Sequence, residues 1–249
     1  MIAWGAEYTG FMPAPALLAI DTATEWMALA VVAGDANWCA VEPGGARTSQ
    51  RLLPLAMELL ERAGLAPSQL DAVAFGRGPG AFTGLRSACS VAQGLALGIG
   101  CPLLAIDSLA LVAEDARSQH GAGAQDLWVA MDARMDEAYA AAYRFDAIDS
   151  WRCTVAPALW TLPALAAAWV DAPPACVAGT ALTAFAGRLP LGQALAVPLQ
   201  HDRAGALARL ARQAWSRGEA IDAAEALPLY LRDKVALTTA ERAAAKALS

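Results

Sequence analysis

The chain has 249 residues, 57% of them hydrophobic, and its 24 acidic against 18 basic side chains leave a formal net charge of −6. That size and apolar content suit one large or two small globular domains and exclude a disordered chain. An acidic balance also argues against strong independent binding to nucleic acid, which needs a basic footprint.

Residues 1 to 16 are expected to form an N-terminal extension, because Met12 directly precedes Pro-Ala-Pro and the first strand. The first basic residue is Arg47, so a secretory signal, which opens on a positive segment, is not expected. "LLAIDTATEWMALAVV" then begins at Leu17, with a short apolar strand, Asp21 at its end, a polar turn and a second strand over Met27–Val32. A connection this tight implies an antiparallel hairpin. Thr48 or Ser49 is placed to cap a helix that runs through Leu52, Leu53, Leu59 and Leu60 to Gly64. Asp71–Phe75 predicts a buried strand, Thr83–Leu97 a helix, Leu103–Ile106 another strand and Ser108–Ser118 a further helix. The uncharged run Ser87–Ile106 is long, but Gln93 and the Gly98–Pro102 breaker make it helix, turn and strand, not a membrane span. "SQHGAGAQ" at 118–125 marks the expected boundary between a first lobe over 17–120 and a second over 121–227.

At Trp128, "WVAMDARMDEAYAAAY" repeats the opening hairpin at an offset of 111 residues, which sets Asp132 on Asp21 and a strand Ala138–Tyr143 on Met27–Val32. Leu162–Val170, Thr180–Arg188 and Arg203–Gly218 are expected to be helical, and "PLYLRDKVA" opens a closing segment 228–249 as a short strand or extended tail. Two α/β halves, each opened by a β-hairpin, resemble the duplicated two-lobed actin-like (ASKHA, ribonuclease H-like) architecture. In actin-like ATPases the hairpin-tip positions of Asp21, with Thr22 beside it, and Asp132 hold metal–nucleotide or water. The plainer alternative is a turn carboxylate that accepts from nearby N–H groups.

"AFGRGPGAFTGLR", from Ala74, has the look of a phosphate loop running into a helix. A Walker A loop needs a lysine after its last glycine, and here Leu85 follows Gly84. Gly76-x-Gly78-x-x-Ala81 imitates a dinucleotide fingerprint, with Asp107 ending the next strand, but Pro79 stands where backbone should approach a pyrophosphate. The loop is therefore expected to be a tight turn, with Thr83 capping the helix after it. Gly84, Ala88, Ala92 and Ala96 recur every four residues along that helix and form a strip without bulk. Such a strip serves close packing either on the chain's own sheet or on a partner helix. The five cysteines are scattered and never form a C-x-x-C pair, so a reducing, cytoplasmic setting is expected. Only His120 and His201 are available, and no H-x-x-x-H occurs, so a metallohydrolase lacks its ligands.

"LLAIDTAT", "TSQRLLP", "AFGRGPGAFTGLR", "AQGLALG", "AMDARMDEAY" and "PLYLRDKVA" occur in that order over roughly residues 17 to 236. Together they resemble the bacterial TsaB (YeaZ) family. Where members of that family read His-Ser/Thr-Gln before the first helix, this chain has Thr48-Ser49-Gln50. The resemblance implies a noncatalytic paralogue of the enzyme that places N6-threonylcarbamoyladenosine at position 37 of tRNAs, a transfer that uses a histidine-held metal. It also implies a small P-loop ATPase in the assembly, tRNA contacted indirectly, a homodimer when the partner is absent, and no membrane. No metal or cofactor is expected to be required by this chain, with ATP or ADP possible only in the complex. The expected partner interface comprises Leu52, Leu53, Leu59, Leu60, Arg77, Phe82, Gly84, Arg86, Ala88, Ala92 and Ala96. The competing expectation is a nucleotide-dependent ATPase or transferase built on Asp21, Asp132 and the glycine loop.

Overall fold

A computed structural model describes residues 15–146 and 150–232. Most of the expected extension and all of the tail beyond 232 lie outside the described residues. The first hairpin consists of β1 (Ala16–Asp21) and β2 (Trp26–Ala33), and every residue from Leu17 to Asp21 is buried. Apolar runs without alternation are what strands covered on both faces require. β3 (Ala36–Pro43) pairs with β2 at the sheet edge, a strand the sequence did not announce, because five of its eight residues are exposed. α1 (Thr48–Arg62), β4 (Ala72–Gly78), α2 (Phe82–Ile99), β5 (Leu103–Asp107) and α3 (Ser108–His120) complete the first half.

The second half repeats this order. β6 (Asp126–Asp132), β7 (Glu137–Phe145) and β8 (Trp151–Thr161) precede α4 (Leu162–Asp171), β9 (Cys176–Ala178), α5 (Ala181–Ala184), β10 (Leu195–Val197) and α6 (Arg203–Ser216). A short β11 (Ala220–Ile221) is the last described strand, and a 3₁₀ turn over Ala223–Glu225 follows it. The first sheet has the order β11-β5-β4-β1-β2-β3 and the second β10-β9-β6-β7-β8. Without β11 the two orders coincide strand for strand, and so do their parallel and antiparallel pairings. The duplicated actin-like α/β fold expected from the hairpin repeat is the fold observed. β11 pairs with β5, so the chain after α6 returns to the first sheet.

Three apolar clusters order the layers. α1 and α2 cover one face of the first sheet through Leu52, Leu59, Ala88 and Ala92 against Ile20, Leu29 and Phe75. α3 and α6 lie between the sheets, touching Leu17 and Val32 on one side and Val129 and Tyr143 on the other. α4 and α5 cover the far face of the second sheet through Leu165, Trp169 and Leu182. Of the helix expected over Thr180–Arg188 only Ala181–Ala184 is helical, and Gly187 with φ +76 takes the chain out of it.

Polar contacts also tie the sheets together. The Tyr143 hydroxyl donates to Asp107 at 2.6 Å, across from β7 to the start of α3. Burial raises the Asp107 carboxyl above its ordinary range despite that bond, and burial beside this acid pushes the Tyr143 phenol far up. Glu114 on α3, fully buried, accepts from Arg117, Arg209 and the Trp151 indole. Burial alone would raise the Glu114 carboxyl, but these donors outweigh it and hold the group below the usual range. A depressed folded value adds stability above the unfolded value and loses it as pH falls through the folded one. Glu114→Gln is therefore expected to lower stability by about 2–3 kcal/mol at pH 7. The same substitution should flatten the acid limb, as urea unfolding at pH 7 and pH 4 would measure.

Candidate functional site: the cleft and the outer helical face

Both hairpin tips, Thr22–Glu25 and Met131–Met135, line a cleft of about 1010 Å³ between the two sheets. Beneath its floor, which includes Thr22, Ser108 and Arg203, lies Asp21, completely buried. Asp21 Oδ1 accepts from Arg203 Nη2 at 2.6 Å, from Arg203 Nε at 3.1 Å and from the Ala23 N–H at 3.2 Å. Its Oδ2 accepts from the Ser108 hydroxyl at 2.8 Å, and Ser108 Oγ accepts in turn from the Gly78 N–H at 3.1 Å. A carboxylate offers about four lone-pair sites, and here four donors of this chain reach it, three at Oδ1 and one at Oδ2. The Thr22 hydroxyl is also used by this chain, donating to the Gly84 carbonyl at 2.6 Å. The Asp132 side chain accepts from the Arg134 N–H at 2.7 Å, two residues on, as Asp21 accepts from Ala23. Both acids therefore make the same local turn bond, and Asp132 is the one that lines the cleft.

The glycine loop owes its glycines to this floor. A Cβ at Gly76 would fall 1.9 Å from Asp21 Oδ2, one at Gly80 2.3 Å from the Ala23 carbonyl, and one at Gly84 1.9 Å from the Thr22 carbonyl. The bond before Pro79 is cis. The loop thus seats β4 and α2 directly on the first hairpin tip. Gly84→Ala is expected to destabilise the protein by about 1–3 kcal/mol, the scale of overpacking in a close-packed site, as seen in urea unfolding. Thr83 does not cap α2: the N-cap position is Ala81, without a side-chain cap, and Thr83 is the second residue of the helix. Likewise α1 starts at Thr48 behind Arg47, with no side-chain cap, because a 3₁₀ turn over Gly45–Arg47 leads into it.

The expected partner face divides in two. Leu52, Leu59, Leu60, Ala88, Ala92 and Ala96 are buried in this chain's own core, so the close packing signalled by their spacing is made within the molecule. Gly84 is taken up by the hairpin tip. Leu53, Arg77 and Arg86 are exposed and Phe82 is half-buried. The outward side of α2 carries a second strip at the same spacing, Ser90, Gly94 and Gly98, with Leu97 beside it at 68% exposure. A Cβ at Gly94 or Gly98 would meet nothing within 4 Å. A glycine inside a helix costs about 1 kcal/mol relative to alanine, so neither position is explained by the packing of this chain.

Arg203 and Ser108 as partners of Asp21 were not legible in the sequence; Arg203 is 182 residues from the acid, and no spacing links them. Among the described residues no three His, Cys, Asp or Glu side chains converge where they could hold a metal ion. Among the same residues no helix is long and apolar enough to cross a membrane.

Comparisons with known proteins agree with this duplicated fold. A family model described as "TsaD: tRNA N6-adenosine threonylcarbamoyltransferase" matches residues 43–156. The tRNA threonylcarbamoyladenosine biosynthesis protein TsaB of Escherichia coli is 31% identical over 227 residues, 88% of this chain and 96% of that one. The Haemophilus influenzae protein of the same name is 41% identical over 123 residues, 49% of this chain and 51% of its own. The solved structure of YeaZ from Pseudomonas aeruginosa superposes with a TM-score of 0.77 at 39% identity, covering 87% of this chain and all of that one.

Proposed function

The chain belongs to the TsaB (YeaZ) family, and on that premise we propose that it is a noncatalytic subunit in the formation of threonylcarbamoyladenosine on tRNA. It acts by docking onto a catalytic threonylcarbamoyltransferase paralogue, which carries out the transfer at adenosine 37. The observation that carries the noncatalytic part is the state of Asp21. The acid that an actin-like ATPase would direct at metal and nucleotide is wholly buried here, paired with Arg203 and bonded to Ser108 and the Ala23 N–H. Docking is assigned to the outward side of α1 and α2, through Leu53, Arg86, Ser90, Gly94, Leu97 and Gly98. The exposed leucines supply apolar area, and the bare glycines let a second backbone come close. Arg86 and Arg77 at its margin suit acidic groups on the partner. The small P-loop ATPase and tRNA join through the complex, and the same face pairs two copies when the partner is missing.

Reconstitution of the modification from the catalytic paralogue and the ATPase, with and without this chain, is the direct test. Full activity in its absence would overturn the proposal. One observation favours a second reading, a nucleotide-dependent enzyme: the cleft is roomy and Asp132 faces it. Calorimetry with Mg-ATP on the isolated chain separates the two. Tight binding that disappears in Asp21→Ala would favour the enzyme.

A further inference from the structure

Residues Ala223–Arg232 leave the first sheet and reach the second along one wall of the cleft. On the first-sheet side the segment is held many times over. Gln93 Nε2 donates to the carbonyls of Ala223 at 2.8 Å and Ala226 at 3.2 Å, and the Leu229 N–H donates to the Arg77 carbonyl at 2.6 Å. The Tyr230 ring lies 4.9 Å from that of Phe82, and Arg86 Nε donates to the Tyr230 hydroxyl at 3.1 Å while its guanidinium covers Phe82. On the second-sheet side one side chain makes the charged contact. Arg232 Nη2 pairs with Glu137 at 2.6 Å and donates to the Ala133 carbonyl at 3.0 Å.

That contact falls on a turn with unusual backbone. Arg134, Met135 and Asp136 have φ of +66°, +58° and +57°, three successive non-glycine residues in the left-handed region. Such conformations persist only where the surroundings hold them, and they gather at clamps and switches. Arg232 holds this one by its carbonyls and by Glu137, the first residue of β7. Arg232 and Glu137 retain 15% and 25% side-chain exposure, so water reaches the pair. The bonds that join the sheets through α3 and α6, at Tyr143–Asp107 and around Glu114, involve none of these residues.

We propose that the segment Leu227–Arg232 is a latch on the cleft between the lobes, with the Arg232–Glu137 pair and the left-handed 134–136 turn as its catch. Release of the catch leaves the segment on the first sheet, where its contacts are many, and frees the second hairpin tip to move away from the first. The α3–α6 layer stays joined and acts as the hinge. The proposal rests on these contacts and does not depend on the docking function.

Hydrogen exchange by mass spectrometry on the full chain tests it, with Arg232→Met and Glu137→Gln compared with the natural protein. Arg232→Met is expected to speed exchange at least tenfold in residues 131–137 and in the cleft-lining loop 79–85. Glu137→Gln, which keeps the carbonyl contacts, is expected to give about threefold. Exchange in α3 and α6 should stay as in the natural protein in both variants. Unchanged exchange around the cleft in both variants would overturn the latch. So would an equal rise in α3 and α6, which would make the pair a support of the whole fold.

Discussion

Arg203→Met is expected to destabilise the protein by about 3–5 kcal/mol, the usual result of leaving one partner of a buried ion pair uncompensated. The geometry explains the size. Asp21 is wholly buried and Arg203 is only 5% exposed, so neither charge can turn to water when the other is lost. The Ser108 hydroxyl and the Ala23 N–H remain, but they supply dipoles where a full charge stood. The double variant Asp21→Asn with Arg203→Met should recover most of the loss, because both charges then leave the interior together. Urea unfolding of the two single variants and the double forms a thermodynamic cycle. A loss under about 1 kcal/mol for Arg203→Met would mean that the pair does not anchor the cleft floor, and the argument against metal binding at Asp21 would fall with it.

The same pair marks the limit of what the sequence could show. The repeated hairpin was legible because both copies end an apolar strand on an acid with the same turn behind it, and Asp21 and Asp132 do make equivalent bonds to N–H groups two residues on. β3 and β8 escaped because edge strands are only half-covered, so polar residues such as Asn37, Glu42, Arg152 and Thr154 interrupt the apolar signal. The strip on α2 left two readings open for a different reason. Gly84, Ala88, Ala92 and Ala96 have the same spacing and bulk as Ser90, Gly94 and Gly98, and local pattern cannot say which strip turns inward. The rotation is set by the first hairpin tip, which takes the Gly84 position against the Thr22 carbonyl and thereby aims the alanines at the sheet. Arg203 meets Asp21 only because α6 returns between the sheets, a consequence of topology that no local stretch encodes.

Gly94 permits a test in which stability and association move in opposite directions. Gly94→Ala is expected to stabilise the isolated chain by about 0.5–1 kcal/mol, since the position is helical, exposed and open to a Cβ. Gly94→Arg should leave the fold as stable as Gly94→Ala does, because straight-chain residues are good helix formers. Yet the arginine projects some 6–7 Å from the one stretch of α2 where a second helix has room to pack closely, and helix axes in such contacts lie only about 8–10 Å apart. Co-purification with the catalytic paralogue should therefore fall at least a hundredfold for Gly94→Arg, and self-association of the chain alone should fall with it. An Ala88→Ser control faces the core and should leave association unchanged while lowering stability slightly. If Gly94→Arg keeps the natural affinity for the partner, the outer side of α2 is not the docking face, whatever the stability data show.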